Sequence, residues 1–458
     1  SLYPKLKIEG GAGVRPHKNS INNYCYPENP EAGIDLFLEK LVQETEKEHE
    51  DILEQADETD AVFGELYSWY LRNPEYRSRV QKLVQSAFAE KPEDIISQSV
   101  AKALYGEVSP YSATRLERFA ACAFAHFLQY GMKLTERVEY EFKPMDMGNV
   151  MHEALESFAE EVRKRGMKWT ELTEQERNEI ADRCLDNIVA DYGNTVLKSS
   201  ARNEYMIERT RRILRRTVWA LQKQLEQGEF QPEGFEVTFG GGRIDRVDIM
   251  EDQNKVYVKV IDYKTGNTSF DLVYLYHGLQ LQLMIYLDGA LRVEQKKYPD
   301  KEIIPAGVFY YNIKDPMIQE KIDADVEAVS AGLMKELKMN GLVQADPELV
   351  YRMDSSLGSI PVAFNKDGSF RKNSSVADRT QFAVLGRYVR TKIEKIRSSI
   401  LEGDAEVSPY ELGKKNACTY CPYMTVCGFD RRLSGYEFRR LKNFSDEELW
   451  KAFDREVE

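Results

Sequence analysis

The sequence predicts an α/β protein in which a small mixed sheet carries helical insertions and follows a helical segment. Two changes of pattern support this fold class. Apolar residues first follow the 3.6-residue period of helices, then alternate or run continuously between residues 235 and 264, and then return to helical spacing. At 458 residues the chain is long enough for two or three domains, each with its own core.

Composition narrows the class of protein further. Hydrophobic residues make up 42% of the chain and aromatic residues 11%, which is typical of a globular protein. The sequence has no apolar run of about 18 residues and no signal-peptide layout at its start, so we expect a soluble, cytoplasmic protein. A net charge of −13 argues against a surface that binds nucleic acid throughout, but it is compatible with a local basic channel.

A helical segment is predicted first along the chain. Gly, Asn and Pro are frequent in the first thirty residues, which indicates a loop. Residues 32–104 then show helical spacing, interrupted at 73–76 and 91–94, and a turn at 106–112 ends the segment. We therefore expect a boundary near residue 107.

An amphipathic helix is predicted next, over residues 114–131. Thr114 and Glu117 have the spacing of a capping box at its start, and Gly131 marks its end. The pattern beyond it predicts helices at 147–165, 173–192 and 200–227, strands at 235–239, 242–250 and 255–264, a helix at 274–292, a strand at 305–313, and helices at 322–340 and 377–402.

The second and third of these strands are predicted to pair as a hairpin. If the turn closes on Gln253 and Asn254, the numbers of facing residues sum to 507, and Asp245 faces Asp262. Because side chains alternate along a strand, one face then carries Asp245, Val247, Ile249, Val258, Val260, Asp262 and Lys264.

Two carboxylates and a lysine at the end of an apolar face indicate a metal site. Like charges that face each other destabilise a sheet unless a cation offsets them, and oxygen ligands suit Mg²⁺ or Mn²⁺. Lys264 beside such an ion can orient the attacking water or stabilise charge that builds on a phosphate. The alternative is a hairpin with two exposed aspartates and a solvated lysine. Arg246 and Asp248 fall on the opposite face, and Asp248 is predicted to be structural.

Two pairs at helical spacing accompany the hairpin. His152 and Glu156 lie four residues apart in the helix at 147–165, and Gln282 and Tyr286 lie four apart in the helix after the hairpin. Each pair has an ordinary interpretation when taken singly. A lone helical histidine is more often packed or on the surface than a ligand, and the second pair fits the polar edge of an apolar helix.

Four motifs follow one another along the chain in the order G-x-x-x-H, G-R-I-D, D-Y-K-T-G and Q-x-x-x-Y. This order resembles that of the RecB-family nucleases, which have the PD-(D/E)XK fold. The resemblance implies a divalent metal, with ligands from the side chains of His152, Asp245 and Asp262 and from the carbonyl of Tyr263. It also implies that Lys264 is the catalytic lysine and that Gln282 and Tyr286 support the site and its DNA.

Three of the six cysteines lie within ten positions: Cys418, Cys421 and Cys427. Six cysteines are too few for a disulfide scaffold, and their clustering favours metal binding. Together with Cys122, which precedes the nuclease motifs, they resemble the iron–sulfur staple of several RecB-family nucleases. This implies a [4Fe–4S] cluster, and a zinc ion on four cysteines is the alternative. Cys25 stays unassigned. Cys184 lies in a predicted helix, and its side chain is predicted to be packed.

Residues 108 to about 435 resemble, more narrowly, the AddB-type subunits of bacterial AddAB helicase–nucleases, although Ala123 stands where a proline is expected. This resemblance implies an Mg²⁺-dependent nuclease for single-stranded DNA that processes double-strand breaks and cuts the strand ending 5′. It implies an AddA-type partner that unwinds DNA with ATP. Residues 1–107 would be the tail of a helicase-like portion, and residues 108–458 a nuclease domain with a helical insertion at about 166–228.

Two other interpretations are open. A CRISPR-adaptation nuclease carries a similar iron–sulfur staple, but such proteins are far shorter, and the insertion at 166–228 argues against this class. A catalytically silent DNA-binding scaffold with a structural cluster is the second. The presence of His152, Asp245, Asp262 and Lys264 argues against a silent site.

A run of basic residues occupies positions 208–217 and is a candidate for a local DNA track. Its five arginines are Arg209, Arg211, Arg212, Arg215 and Arg216. Phosphate contacts by such side chains would supply the electrostatic part of DNA binding. The alternative is a solvated face of a helix.

Overall fold

The computed structural model describes residues 30–46, 58–88, 95–106, 112–135, 144–191, 200–240, 242–318, 325–433 and 435–457. The chain divides into two compact units. One comprises the residues up to Asp94 together with Met424–Arg439, and the other comprises Ile95–Tyr423 and Arg440–Glu458. No helix within the described ranges is both long enough and apolar enough to cross a membrane.

The first unit is helical. Helices α1 (Pro30–Glu46), α2 (Glu58–Arg72) and α3 (Pro74–Ala87) bury a core that includes Phe37 and Tyr70. The predicted break at 73–76 is confirmed, because the Asn73 side chain accepts a hydrogen bond from the Glu75 N–H at 3.1 Å at the start of α3. The loop predicted before Pro30 and the break at 91–94 lie outside the described residues.

The second unit is an α/β domain. The helices beyond residue 95 are α4 (Gln98–Tyr105), α5 (Ala113–Ala121), α6 (Ala123–His126), α7 (Pro144–Lys164), α8 (Glu174–Asp191), α9 (Ala201–Glu226), α10 (Leu272–Tyr276), α11 (Gln282–Lys297), α12 (Val326–Glu336), α13 (Pro347–Met353), α14 (Arg379–Glu402), α15 (Met424–Cys427, in the first unit) and α16 (Asp446–Val457). The strands are β1 (Gln231–Phe239), β2 (Gly242–Asp252), β3 (Lys255–Lys264), β4 (Glu302–Asn312), β5 (Asn340–Gln344), β6 (Val376–Ala377), β7 (Tyr410–Leu412), β8 (Lys415–Asn416) and β9 (Arg439–Arg440).

Strands β1 to β6 form one mixed sheet in chain order. Neighbours are antiparallel from β1 to β3 and between β4 and β5, whereas β3–β4 and β5–β6 are parallel. Helices α7, α8 and α9 cover one face of the sheet, and Phe158 and Tyr311 lie in the core between these helices and the sheet. Helices α5, α11, α14 and α16 cover the other face, with Val258 and Leu283 in its core. The parallel step from β3 to β4 passes through α11, as such a crossover requires.

The α/β fold class is confirmed, and so are most of the predicted elements. Helices α7, α8, α9 and α14 and strands β1 to β4 lie where the sequence pattern places them, within a few residues. The pattern does not reveal β5, β6, α13 or α16. Strand β5 begins at the end of the helix predicted at 322–340, because pairing with β4 buries Leu342 and Val343 in the sheet.

The prediction of one helix over 114–131 is wrong. The backbone is extended at Cys122 (φ −165°, ψ 118°), which separates α5 from α6, and Phe127–Gly131 forms a π-helical turn. The break follows from a long-range contact. The Phe124 N–H donates to the Glu406 carbonyl at 3.0 Å, so it leaves the helical hydrogen-bond ladder.

The predicted capping box is wrong as well. Ser112 caps α5, since its hydroxyl accepts a hydrogen bond from the Arg115 N–H at 3.4 Å. Thr114 therefore lies inside the helix, and the Glu117 carboxylate is free to contact another element. The helix predicted at 274–292 is likewise divided, into α10 and α11, with Gly278 in a left-handed conformation (φ 79°) between them.

Helix α4 packs within the second unit. Ala101 and Tyr105 are buried in the core that α14 also covers, and the Ile96 N–H donates to the Gly403 carbonyl at 2.9 Å. The second unit thus includes residues before 107. The division of the chain at that residue into a helicase-like tail and a nuclease domain stays a prediction.

Candidate active site and metal centre

The hairpin of β2 and β3 has the predicted register. Its seven facing pairs, from Asp252 with Lys255 to Arg246 with Ile261, all have numbers that sum to 507. Asp245 and Asp262 come next along the two strands. The Tyr263 N–H donates to Asp245 Oδ2 at 2.7 Å, which joins the strands at this end.

The two faces of the hairpin differ as the alternation predicts. Val247, Ile249, Val258 and Val260 share one core. Asp248 is fully buried on the opposite face, 2.5 Å from Arg246 Nε and 2.9 Å from Lys259 Nζ. The structural role predicted for Asp248 is therefore confirmed, because its carboxylate compensates two buried cations.

His152 extends from α7 towards the end of β2. Its Nδ1 lies 3.3 Å from Asp245 Oδ2 and 3.9 Å from Glu236 Oε1. Possible ligand atoms of these three residues all lie within 4.8 Å of one another. Burial lowers the pKa of His152, but its hydrogen bond to Asp245 and the nearby carboxylates outweigh burial and raise the pKa.

Glu236 lies on β1 and belongs to none of the motifs that the sequence shows. Burial and the charge of Asp245 raise the pKa of Glu236 to about 7, although it forms an ion pair with Arg243. A signal for this residue exists in the sequence. Glycines follow β1 in the sequence and are typical of a hairpin, and a ladder in which Phe239 faces Gly242 brings Glu236 opposite Asp245, but this pairing is not part of the sequence prediction.

Asp262 and Lys264 lie together at the end of β3. Asp262 is 1% exposed, and Lys264 Nζ lies 2.6 Å from its Oδ2. Burial and the charge of Asp245 raise the pKa of Asp262 to about 7 despite that lysine. Lys264 also donates to Gln282 Oε1 at 2.7 Å, and Gln282 Nε2 donates to the Tyr286 hydroxyl at 2.9 Å. One chain of contacts thus connects β3 to α11.

Glu117 holds the start of α11 in place. Its Oε1 accepts hydrogen bonds from the N–H groups of Leu281 and Gln282, at 2.7 and 2.9 Å. Leu281, the residue before α11, makes no side-chain capping bond, so Glu117 supplies the acceptor that the first N–H groups of a helix need. Burial raises the pKa of Glu117 to about 7, against the effect of these hydrogen bonds.

The donor set fits a divalent cation. One imidazole and several carboxylates converge at the strand ends, and burial together with the charge of Asp245 raises the pKa values of Glu236 and Asp262. Oxygen ligands with one imidazole suit Mn²⁺ and Mg²⁺. Tyr263 buries its ring near His152, with 6.0 Å between the ring centroids. Its carbonyl as a metal ligand stays a prediction.

A comparison with known families decides the class of this site. The family model described as the PD-(D/E)XK nuclease superfamily matches residues 110–428, a range that includes every motif residue of the site. The chain belongs to the PD-(D/E)XK nuclease superfamily. Its enzyme class is accordingly that of a metal-dependent nuclease, and His152, Glu236 and Asp245 form a candidate site for the metal.

Several relatives of this nuclease are named as the B subunit of an ATP-dependent helicase/deoxyribonuclease. The relative from Lachnoclostridium phytofermentans is 41% identical over 425 residues, which are 88% of this chain and 36% of the relative. Relatives from Thermoanaerobacter sp. and Clostridium acetobutylicum are 34% and 33% identical, over 88% and 87% of this chain and 37% of each relative. The chain thus spans just over a third of the length of these relatives.

Of the four cysteines predicted to bind a cluster, Cys122, Cys418 and Cys421 lie in the second unit and Cys427 lies in the first. Cys122 and Cys421 belong to one apolar cluster with Leu128 and Tyr423, and burial raises the pKa of the Cys122 thiol. The Cys421 N–H donates to the Cys418 carbonyl at 3.1 Å, which bends this segment into a turn. Cys427 ends α15 in the other unit.

Cys184 is packed in the core under α8, as predicted, and Cys25 lies outside the described residues.

The five candidate arginines line one cavity of about 660 Å³ between α8, α9 and α12. Three of them already have partners: Arg211 pairs with Asp186 at 2.7 Å, Arg212 with Asp315 at 2.6 Å, and Arg215 with Asp182. Within the described part of the chain, no carboxylate lies within ion-pair distance of Arg209 or Arg216. Binding of DNA by this face stays a prediction, which these two arginines support best.

Proposed function

We propose that this chain is the nuclease region of an AddB-type subunit and that it hydrolyses phosphodiester bonds of single-stranded DNA with Mg²⁺. The observation that carries the proposal is the convergence of His152, Asp245, Asp262 and Lys264 at one end of the β2–β3 hairpin. The name of the relatives, which includes deoxyribonuclease, supports DNA as the substrate.

The residues around the site suggest how each contributes. A bound divalent cation would supply a Lewis acid for the phosphate and would lower the pKa of a water nucleophile. The Lys264 ammonium is held between Asp262 and Gln282, so its position is fixed at the edge of the ligand set. There it can orient the water or stabilise charge on the phosphate. Tyr286 fixes the Gln282 amide in turn. Because water is the nucleophile, no residue need form a covalent intermediate.

The wider role follows the resemblance to AddB-type subunits. The relatives are named as one subunit of a helicase and deoxyribonuclease, which supports a partner that contributes ATP-driven unwinding. We propose an AddA-type partner, cleavage of the strand that ends 5′, and a role in the repair of double-strand breaks in the cytoplasm. Single-stranded DNA released by unwinding would then be the substrate of this site.

A [4Fe–4S] cluster on Cys122, Cys418, Cys421 and Cys427 is part of the proposal. The apolar cluster that Cys122 and Cys421 share, together with the turn from Cys418 to Cys421, supports a common site for these three thiols. Four thiolates are the number that an iron–sulfur cluster of this type needs. Zinc is the alternative occupant, and metal analysis separates the two.

Cleavage of end-labelled single-stranded DNA by the purified full chain tests the proposal. We expect Mg²⁺-dependent cleavage that EDTA abolishes and that Asp245→Asn removes. Labelling either the 5′ or the 3′ end reports the polarity. DNA binding without any cleavage in Mg²⁺ or Mn²⁺ would contradict the proposal and favour a silent scaffold.

A further inference from the structure

We infer that Glu236 is a ligand of the divalent cation, on the His152 side of the site. This makes β1 a third strand that contributes to the centre, beside β2 and β3. The inference rests on the proposed function in one respect, since it assumes that the site binds a divalent cation. It assigns to Glu236 a role that none of the recognised motifs contains.

The distances are those of groups that can share one ion. Glu236 Oε1 lies 3.9 Å from His152 Nδ1, and Asp245 Oδ2 lies 3.3 Å from the same nitrogen. Two atoms bound to one Mg²⁺ or Mn²⁺ at about 2.1 Å lie at most about 4.2 Å apart. The three groups therefore need only small adjustments to coordinate one cation together.

The sheet itself brings Glu236 to this position. Phe235 faces Arg246 and Val237 faces Ile244 across the β1–β2 ladder, so Glu236 stands opposite Asp245. Its backbone is left-handed (φ 48°), a conformation that residues other than glycine rarely adopt. The strand changes face at this point, because Phe235 packs in the core under α7 whereas Val237 packs in the core under α11.

A purely structural role accounts poorly for the burial of Glu236. Its side chain is 7% exposed, while that of Arg243, its arginine partner, is 62% exposed. An ion pair with an exposed arginine stabilises a protein little, and removing a carboxylate from water is costly. Glu236 also stands beside Asp245, which repels it. A cation between Glu236, Asp245 and His152 would offset both costs.

Titration of Mn²⁺ into the full chain tests the inference without relying on cleavage. Calorimetry and the electron paramagnetic resonance signal of free Mn²⁺ both report the dissociation constant. We expect Glu236→Gln, which keeps the shape of the side chain, to weaken Mn²⁺ binding at least about tenfold, as loss of a supporting group does in other metal sites. The rise in Tm that Mn²⁺ causes should shrink accordingly.

Two control variants separate coordination from other effects. Glu156→Gln removes the same charge from nearby α7 and leaves the His152–Glu236–Asp245 group complete. This variant should bind Mn²⁺ nearly as tightly as the wild type. Arg243→Gln removes the ion-pair partner of Glu236 from the surface. It should bind Mn²⁺ at least as tightly as the wild type, because it frees the carboxylate.

Equal Mn²⁺ affinity of Glu236→Gln and the wild type would overturn the inference while leaving the proposed function intact. Equal weakening by Glu156→Gln and Glu236→Gln would overturn it too, since the effect would then be one of charge alone. Weakening by Arg243→Gln would indicate that the ion pair matters and not coordination, even if Glu236→Gln failed to fold. A wild-type chain that binds no divalent cation would overturn both the inference and the proposed function.

Discussion

Glu117 accepts a hydrogen bond of 2.9 Å from the backbone N–H of Gln282, a residue 165 positions further along the chain. The contact fixes the first turn of α11 against α5. Gln282 in turn holds the Lys264 ammonium, so the position of the proposed catalytic lysine depends on a carboxylate outside the recognised motifs.

Glu117→Ala should therefore lower both stability and cleavage. Removing a helix cap costs about 0.5 to 2 kcal/mol, and the first turn of α11 would lose the acceptor for two N–H groups. Glu117→Gln keeps a carbonyl oxygen and should retain most of the stability. Urea unfolding and single-turnover cleavage measure the two effects. Wild-type behaviour of Glu117→Ala in both would contradict a positioning role.

Two aspartates of the hairpin should respond in opposite ways to substitution by asparagine. Asp262→Asn should reduce cleavage by at least about a hundredfold with little loss of stability, because it removes a ligand and relieves repulsion from Asp245. Lys264→Ala should lose cleavage similarly. Asp248→Asn should instead destabilise the fold by about 3 to 5 kcal/mol, because it leaves Arg246 and Lys259 buried without their carboxylate. Normal cleavage by Asp262→Asn in Mg²⁺ would end the assignment of the site.

Sequence patterns predict contacts between residues that are close along the chain better than contacts between residues that are far apart in it. The β2–β3 hairpin is local, so its turn determines the register that brings Asp245 to Asp262. The break at Cys122 depends instead on Glu406, and the role of Glu117 depends on Gln282. Such contacts join parts of the chain that no local pattern relates. The local pattern therefore predicts the register of the hairpin, and the family resemblance adds His152, Gln282 and Tyr286, which the fold brings to it. Neither of them indicates Glu117 or Glu236.

Three buried carboxyl groups should make the metal-free protein less stable as pH rises from about 4 to about 7. Burial raises the pKa values of Glu117, Glu236 and Asp262 to about 7, above those of about 4 in the unfolded chain. In this window these three groups keep protons in the folded state that they have released in the unfolded state, so their contribution to the free energy of unfolding decreases with pH and levels off above about 7. Burial lowers the pKa of His126 to about 3, and this histidine acts in the opposite direction. Asp262→Asn should flatten the decline, and Mg²⁺ should oppose it. Denaturant unfolding across this range measures the slope, and equal slopes for the wild type and Asp262→Asn would contradict the raised pKa of Asp262.

The basic face of α9 should contribute to DNA binding mainly through Arg209 and Arg216. Each lost phosphate contact to a single strand reduces the slope of log affinity against log salt by about 0.7, so the double variant to glutamine should flatten the slope by about 1.4. The matched control is Arg211→Gln with Arg215→Gln, which removes the same charge from residues already paired with Asp186 and Asp182. If both double variants behaved alike, the face would be an ordinary solvated one.

The cysteine site should act as a structural tie. A cluster that joins Cys122 to Cys418 closes a loop of about 300 residues, which restricts the unfolded chain by roughly 6 kcal/mol on the model used for disulfides. This is comparable with the whole stability of a typical domain, roughly 5 to 15 kcal/mol. Cys421→Ala should therefore lose iron and visible absorbance, melt at a lower temperature and become sensitive to protease near its C-terminus.

Cys184→Ala is the matched control for that variant. Its thiol is packed in the core under α8, so this variant should keep its iron and its colour, with only the modest destabilisation of a small cavity. Binding to DNA ends should weaken in Cys421→Ala and persist in Cys184→Ala. Zinc in place of iron in the wild-type protein would refute the cluster but not the tie, because four thiolates around zinc close the same loop. A Cys421→Ala protein that lost its metal yet kept full thermal stability and protease resistance would refute the tie itself.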